Sequence, residues 1–123
     1  MQNSLKKTLV MGASDNPSRY SYLAIDRLRK FGHPVVAIGR RKMKVQDVAV
    51  ETDPIPFPKV DTVTLYLNPE HQQPYYQYIV SLRPKRVLFN PGTENEELQH
   101  LLQKEGIPFM EACTLVLLST GQY

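Results

Sequence analysis

Apolar residues fall in short runs separated by stretches of helical spacing, and this alternation repeats along the whole chain. Leu9-Val10-Met11 is a continuous apolar run of the kind a buried parallel strand needs, and it leads into Gly12-Ala13-Ser14, where glycine removes the side chain from a sharp turn. The polar stretch Asp15-Asn16-Pro17-Ser18 opens a helix over about Arg19 to Phe31, in which Tyr20, Leu23, Ala24, Leu28 and Phe31 recur at helical spacing and Gly32 supplies the stop. Pro34 to Gly39 is a second run of the type buried on both faces, so the chain to this point reads as a βαβ unit.

The following segment, Arg40 to Lys59, is basic at first and leaves room for a short strand near Val48 to Val50. Pro54, Pro56 and Pro58 on alternate positions then forbid helix. Thr62 to Leu67 is a third strand, rich in β-branched residues and ending at Asn68-Pro69. Pro69 suits the first position of a helix that carries Tyr75, Tyr78, Ile79 and Leu82 and ends before Pro84, with Pro74 able to delay its start. Arg86 to Phe89 is a fourth strand. Thr93 with Glu96 matches a capping box for a helix that turns Leu98, Leu101 and Leu102 inward and stops at Gly106, and Ile107 to Met110 is a fifth strand. Thr114 to Leu118 is apolar enough to pack, but its pattern does not decide between helix and strand.

Strands alternating with helices predict an α/β fold, a doubly wound and mostly parallel five-stranded sheet, with ligands at the carboxyl ends of the strands near the point where strand order reverses. Four such ends can be named: Gly12 to Ser14, Gly39 to Lys42, Leu67 to Pro69, and Asn90 to Thr93.

Length and composition restrict the setting. The 123 residues make one domain, 1–123, with a core but no room for a separate catalytic domain. The polar start Met1-Gln2-Asn3-Ser4 lacks the apolar core of a signal peptide and no apolar stretch is long enough to span a bilayer, so the expected compartment is the cytoplasm and no membrane partner is expected. A single cysteine, Cys113, excludes an internal disulfide framework and cannot alone build a thiolate metal site; no metal is expected. The net charge of +3 is unevenly spread: residues 1–50 hold ten Lys or Arg against three Asp, a net +7, which leaves −4 for the remainder. A basic half that also contains the glycine turn suits a small anionic ligand.

The chemistry of that ligand can be narrowed. A dinucleotide site would show Gly-x-Gly-x-x-Gly after the first strand and an acidic residue after the second. Here Ser14 and Pro17 stand in place of the second and third glycines, and the second strand ends in Gly39-Arg40-Arg41-Lys42. A carboxylate would accept hydrogen bonds from a ribose diol, whereas guanidinium and ammonium groups suit a ribose that bears phosphate. NADP and coenzyme A both meet that description.

Several short motifs in order resemble the stand-alone CoA-binding domain proteins, which are similar to the nucleotide-binding domain of the succinyl-CoA synthetase alpha subunit. They are Gly12-Ala13-Ser14 with Asn16-Pro17-Ser18-Arg19-Tyr20, Arg41 after the second strand, Val60-Asp61 before the third, Asn68-Pro69-Glu70 after it, Gly92 with Asn95-Glu96-Glu97, and Glu111-Ala112-Cys113. The resemblance runs from Lys6 to about Leu118 and implies a Rossmann-like CoA-binding domain. It implies further that Gly12, Ala13 and Ser14 approach the pyrophosphate, that Arg19 and Tyr20 contact phosphate, and that Arg41 sits near the ribose phosphate. Asn68 and Pro69 would line the adenine or pantetheine side, with Asn90, Pro91 and Gly92 in the turn after the fourth strand. Relatives often carry Asn-Pro before the basic residue where this chain has Gly39-Arg40, so Gly39 and Arg40 are site residues beside Arg41, and the resemblance leaves open which of Arg40, Arg41 and Lys42 meets the ribose phosphate.

The ligase relatives use a phosphorylated histidine from another domain, whereas His33, His71 and His100 fall at a strand entry, a helix start and a helix surface. The reading is therefore a protein that binds coenzyme A or an acyl-CoA without catalysis of its own. An NADP-binding oxidoreductase-like protein or regulator is the alternative, and a purely structural or interaction domain a third reading. Tyr75, Tyr76 and Tyr78 fit one helix face better than a base-stacking platform, so no nucleic acid is expected, and Glu94, Glu96 and Glu97 read as a dipole-favoured helix start. Cys113 reads first as a buried small hydrophobe and second as a thiol at the site edge.

Overall fold

The computed structural model describes residues 4–123, so the polar start at Met1, Gln2 and Asn3 lies outside the described residues. Six strands run parallel: β1 (Thr8–Ala13), β2 (Val35–Gly39), β4 (Val48–Glu51), β5 (Thr62–Leu65), β6 (Arg86–Phe89) and β7 (Phe109–Glu111). A seventh, β3 (Met43–Val45), pairs antiparallel with β4, and the order is β3-β4-β2-β1-β5-β6-β7. Strand order reverses at β1, between β2 on one side and β5 on the other. The class is the doubly wound, mostly parallel one expected, but the sheet has seven strands instead of five. The added pair is a hairpin closed by Gln46-Asp47, with Gln46 left-handed at φ 55°.

The two faces of the sheet are separately packed. On one, Val10, Ala13, Ala37, Val45, Val48 and Val50 meet Ile25 and Leu28 of α1 (Tyr20–Lys30) and Leu118 of α5 (Thr114–Ser119). On the other, Leu9, Met11, Val63, Leu65, Val87 and Phe89 meet Ile79 of α3 (Tyr76–Leu82) and Leu98 and Leu102 of α4 (Glu96–Lys104). Alternate residues of β1 thus serve opposite cores, which is why Leu9, Val10 and Met11 are all apolar. The Thr114 to Leu118 tail is helix and packs on α1.

Several boundaries differ from the expected ones for physical reasons. In α1 the buried residues are Ser21, Ala24, Ile25 and Leu28, whereas Tyr20 and Phe31 are exposed at 70% and 54%. Pro74 breaks the helix after Asn68 into α2 (Pro69–Gln72), a 3-10 turn (Gln73–Tyr75) and α3. The expected capping box is replaced: Asn95 is the N-cap of α4, its Oδ1 accepting from the Leu98 N–H, and Thr93 Oγ1 instead donates to the Asn90 carbonyl. β7 begins after Pro108, whose carbonyl accepts from Val87 and which has no N–H to give.

At the amino ends of the strands, His33 is buried and its Nδ1 accepts from the Lys6 N–H, so the ring is neutral. Burial, with Lys6 and Arg86 nearby, holds its pKa below the ordinary imidazole value. A depressed folded-state pKa means that the associated stability is complete above the unfolded value near 6.5 and drains away as pH falls below it. Urea titrations at pH 7.5 and 5.5 are therefore expected to show a loss of stability that His33→Gln reduces. An equal pH dependence in both proteins would remove His33 from the account.

Candidate functional site

The carboxyl ends of β1, β2, β5 and β6 open into a cleft of about 490 Å3 at the point where strand order reverses. Its centre is the end of β1. Gly12 is the extra residue of a bulge between Met11, paired with Ile38, and Ala13, paired with Gly39. It has φ +90°, and a Cβ there would lie 2.9 Å from the Tyr66 carbonyl carbon, so β1 and β5 approach each other only because residue 12 has no side chain. Gly39 plays a related part on the other side, where a Cβ would come 2.7 Å from the Ala13 carbonyl oxygen and 2.9 Å from Val50 Cγ1.

The loop after β1 holds its own shape. Asn16 N–H donates to Ser14 Oγ, Asn16 Oδ1 accepts from the Ser18 N–H and hydroxyl, and Arg19 N–H closes a turn on the Asn16 carbonyl. The loop delivers the chain to α1, whose N-cap is Arg19 in extended geometry with no side-chain capping bond and no acid in the first turn. The first-turn N–H groups and the positive end of the helix dipole are left without a protein anion, and a cation stands where a carboxylate would normally sit. Arg19, Tyr20 and Ser21 all line the cleft, so this helix end faces it.

After β2, Arg40 and Arg41 line the cleft and Lys42 does not. Arg41 Nη2 donates to both oxygens of Asp15 at 2.9 and 3.0 Å, while Lys42 pairs with Glu51 at 3.7 Å. After β5 and β6 the wall is formed by Tyr66, Leu67 and Asn68 on one loop, with His71 of α2 beside them, and by Pro91, Gly92 and Thr93 on the other loop. Gln72, fully buried, ties these loops together: its Nε2 donates to the Leu67 and Thr93 carbonyls at 2.8 Å each, and its Oε1 accepts from Asn95 at 2.8 Å. Asn68 caps α2 through the His71 N–H.

Of the residues singled out in the sequence, Gly12, Ala13, Ser14, Arg19, Tyr20, Arg40, Arg41, Asn68, Pro91 and Gly92 are brought together around one cleft. Gly39, Pro69 and Asn90 are outside its lining. Gly39 lies beneath the end of β1, Pro69 is the first residue of α2, and Asn90 is buried with its amide bonded to Thr64, Leu65 and Thr114. Tyr66 enters the lining because β5 stops at Leu65, two residues earlier than the apolar pattern implies. Its hydroxyl is buried without a hydrogen-bond partner among the described residues, and burial raises its pKa far above that of a free phenol. Asp15, Ser21, Met43 and His71 also join the lining without any motif that marks them in sequence, while Leu67 and Thr93 join it from the strand ends Leu67 to Pro69 and Asn90 to Thr93. Cys113 is half-buried at the boundary of α5 and outside the lining. Among the described residues no group of three or more His, Cys, Asp or Glu is placed to hold a metal ion, and no helix is long and apolar enough to cross a membrane.

A family model described as a CoA binding domain matches residues 6–119. The chain belongs to the CoA-binding domain family. An uncharacterized protein of known crystal structure is 49% identical, with a TM-score of 0.95 over 98% of this chain and 100% of that one. The likeness of this CoA-binding domain to a Thermus thermophilus protein, at 19% identity and TM-score 0.85 over 97% and 91% of the two chains, concerns the fold alone. So does its likeness to a Bacillus cereus oxidoreductase, at 14% identity and TM-score 0.60 over 88% of this chain and 34% of that one. No curated protein gives a significant match.

Proposed function

We propose that the cleft binds coenzyme A or an acyl-CoA, with the pyrophosphate against the β1 loop and the start of α1 and the ribose phosphate against Arg41, and that the domain performs no catalysis of its own. The observation that carries this reading is the uncapped N-terminus of α1, opening on the cleft with Arg19 at the cap and Arg40 and Arg41 on the facing loop. A cation at a helix N-terminus is unfavourable by itself and becomes favourable once an anion lies between it and the N–H groups. The pantetheine arm would cross the tips of β5 and β6, past Tyr66, Asn68, Pro91 and Gly92. Gly39, Pro69 and Asn90 would shape the site without touching the ligand.

Thermal unfolding with CoA, dephospho-CoA, NADP or no addition tests the reading, since a ligand at about one hundred times its Kd stabilises the native state by about 2.7 kcal/mol. CoA is expected to raise the midpoint most, and a rise with NADP alone would favour the nicotinamide alternative. Arg41→Ala is expected to weaken CoA about tenfold, the loss of a charge-assisted contact at an exposed site, with a smaller effect on dephospho-CoA. Equal losses would detach Arg41 from the ribose phosphate.

A further inference from the structure

We propose that Asp15 is a specificity-determining residue of the cleft, a built-in competitor that occupies Arg41 until a phosphate monoester takes its place. The proposal rests on the CoA reading of the site. The Asp15 carboxylate receives the Arg41 guanidinium on both oxygens, and both residues line the cleft. The rest of the β1 loop is held without Asp15: Ser14, Asn16, Ser18 and Arg19 bond among themselves, and the Asp15 side chain bonds only to Arg41 among the described residues. Its carboxylate therefore acts at the site through that one partner.

Charge decides what can displace it. A phosphate monoester carries about −1.5 to −2 at neutral pH and three acceptor oxygens, against one charge and two oxygens for a carboxylate. Each phosphate of the diesterified pyrophosphate carries a single charge and a ribose hydroxyl none, so neither offers the guanidinium more charge at one phosphorus than Asp15 does. In coenzyme A only the ribose phosphate is a monoester. Arg40, which makes no ion pair among the described residues, stays open to the pyrophosphate, whereas Arg41 is released only to the phosphate monoester, which concentrates its charge on one phosphorus. After the exchange Asp15 remains close by as an unpaired like charge, a repulsive element that holds CoA affinity down.

Isothermal titration of CoA and dephospho-CoA into the wild type, Asp15→Asn, Arg41→Ala and the double variant tests this. Asp15→Asn is expected to tighten CoA about threefold or more, as removal of an exposed ion-pair competitor should, and to change dephospho-CoA by less than about twofold. With Arg41 already alanine, Asp15→Asn should lose most of its effect on CoA, because the two changes act on one interaction. An unchanged or weaker CoA affinity in Asp15→Asn, an equal gain for both ligands, or a full gain without Arg41 would overturn the role of Asp15 while leaving the CoA site standing. A wild-type protein that takes up no CoA would instead remove the site and this role together.

Discussion

Replacing Gly12 with alanine is expected to lower the unfolding midpoint by roughly 10 °C and to abolish measurable CoA binding. Two costs coincide at this position. The φ of +90° is one that a residue with a side chain rarely adopts, at about 1–3 kcal/mol. The new methyl would also press on rigid backbone, 2.9 Å from the Tyr66 carbonyl carbon and 3.1 Å from Leu67 N, at a further cost of about 1–3 kcal/mol. Relief requires β5 to move away from β1 where the Tyr66 N–H bonds to the Met11 carbonyl, which is the floor of the proposed pyrophosphate site. Two other glycines separate the terms. Gly92→Ala meets only the backbone term, since φ is +91° but nothing lies within 4 Å of the added Cβ, and it should cost about 1 kcal/mol. Gly39→Ala meets only crowding, against the Ala13 carbonyl and Val50, and should fall between the two. Calorimetric scans of the three variants give the order directly. A Gly12→Ala protein no less stable than Gly92→Ala would show that β1 and β5 are not in the close contact described.

That much of this arrangement is readable from sequence has a physical reason. β1, β2, β5 and β6 are the central strands of the sheet, so their cores read as short apolar runs (Leu9 to Met11, Val35 to Ile38, Val87 to Phe89) or, in β5, as alternating Thr and apolar β-formers, and both patterns are legible in sequence. Their carboxyl ends carry the turn residues, and the doubly wound topology gathers those ends at one place; ten of the candidate residues accordingly line one cleft. The short strand near Val48 is readable and is β4, but its hairpin with β3 is hidden because Gln46-Asp47 carries none of the Gly or Asn chemistry that usually marks a two-residue turn, and because β3 is only three residues long. Asn95 displaced Thr93 as the cap of α4 because Thr93 Oγ1 closes the turn on Asn90. The Asp15–Arg41 pair and the Gln72 tether could not be seen at all, since each joins loops twenty or more residues apart through side chains whose pairing depends on the fold.

Asn90→Leu is expected to cost about 3 kcal/mol or more, although leucine keeps the branched, four-heavy-atom outline of asparagine. Asn90 is 2% exposed and is the junction of β5, β6 and α5 directly beneath the cleft. Its Nδ2 donates to Thr64 Oγ1 at 2.7 Å and to the Leu65 carbonyl at 2.9 Å, and its Oδ1 accepts from the Thr114 N–H at 2.8 Å. Leucine would leave the Leu65 carbonyl and the Thr114 N–H without these partners in a region closed to water, and each such buried group costs about 1–3 kcal/mol. The Thr64–Thr114 hydroxyl contact, at 2.8 Å, would survive but no longer be held from the β6 side. Urea unfolding followed by circular dichroism measures the loss, and amide exchange at Thr114 and the first turn of α5 locates it. Exchange there should become much faster in Asn90→Leu than in wild type, ahead of exchange in β1. A stability loss below about 1 kcal/mol, with α5 amides as protected as before, would mean that these three hydrogen bonds contribute little and that packing against α1 alone holds the C-terminal helix.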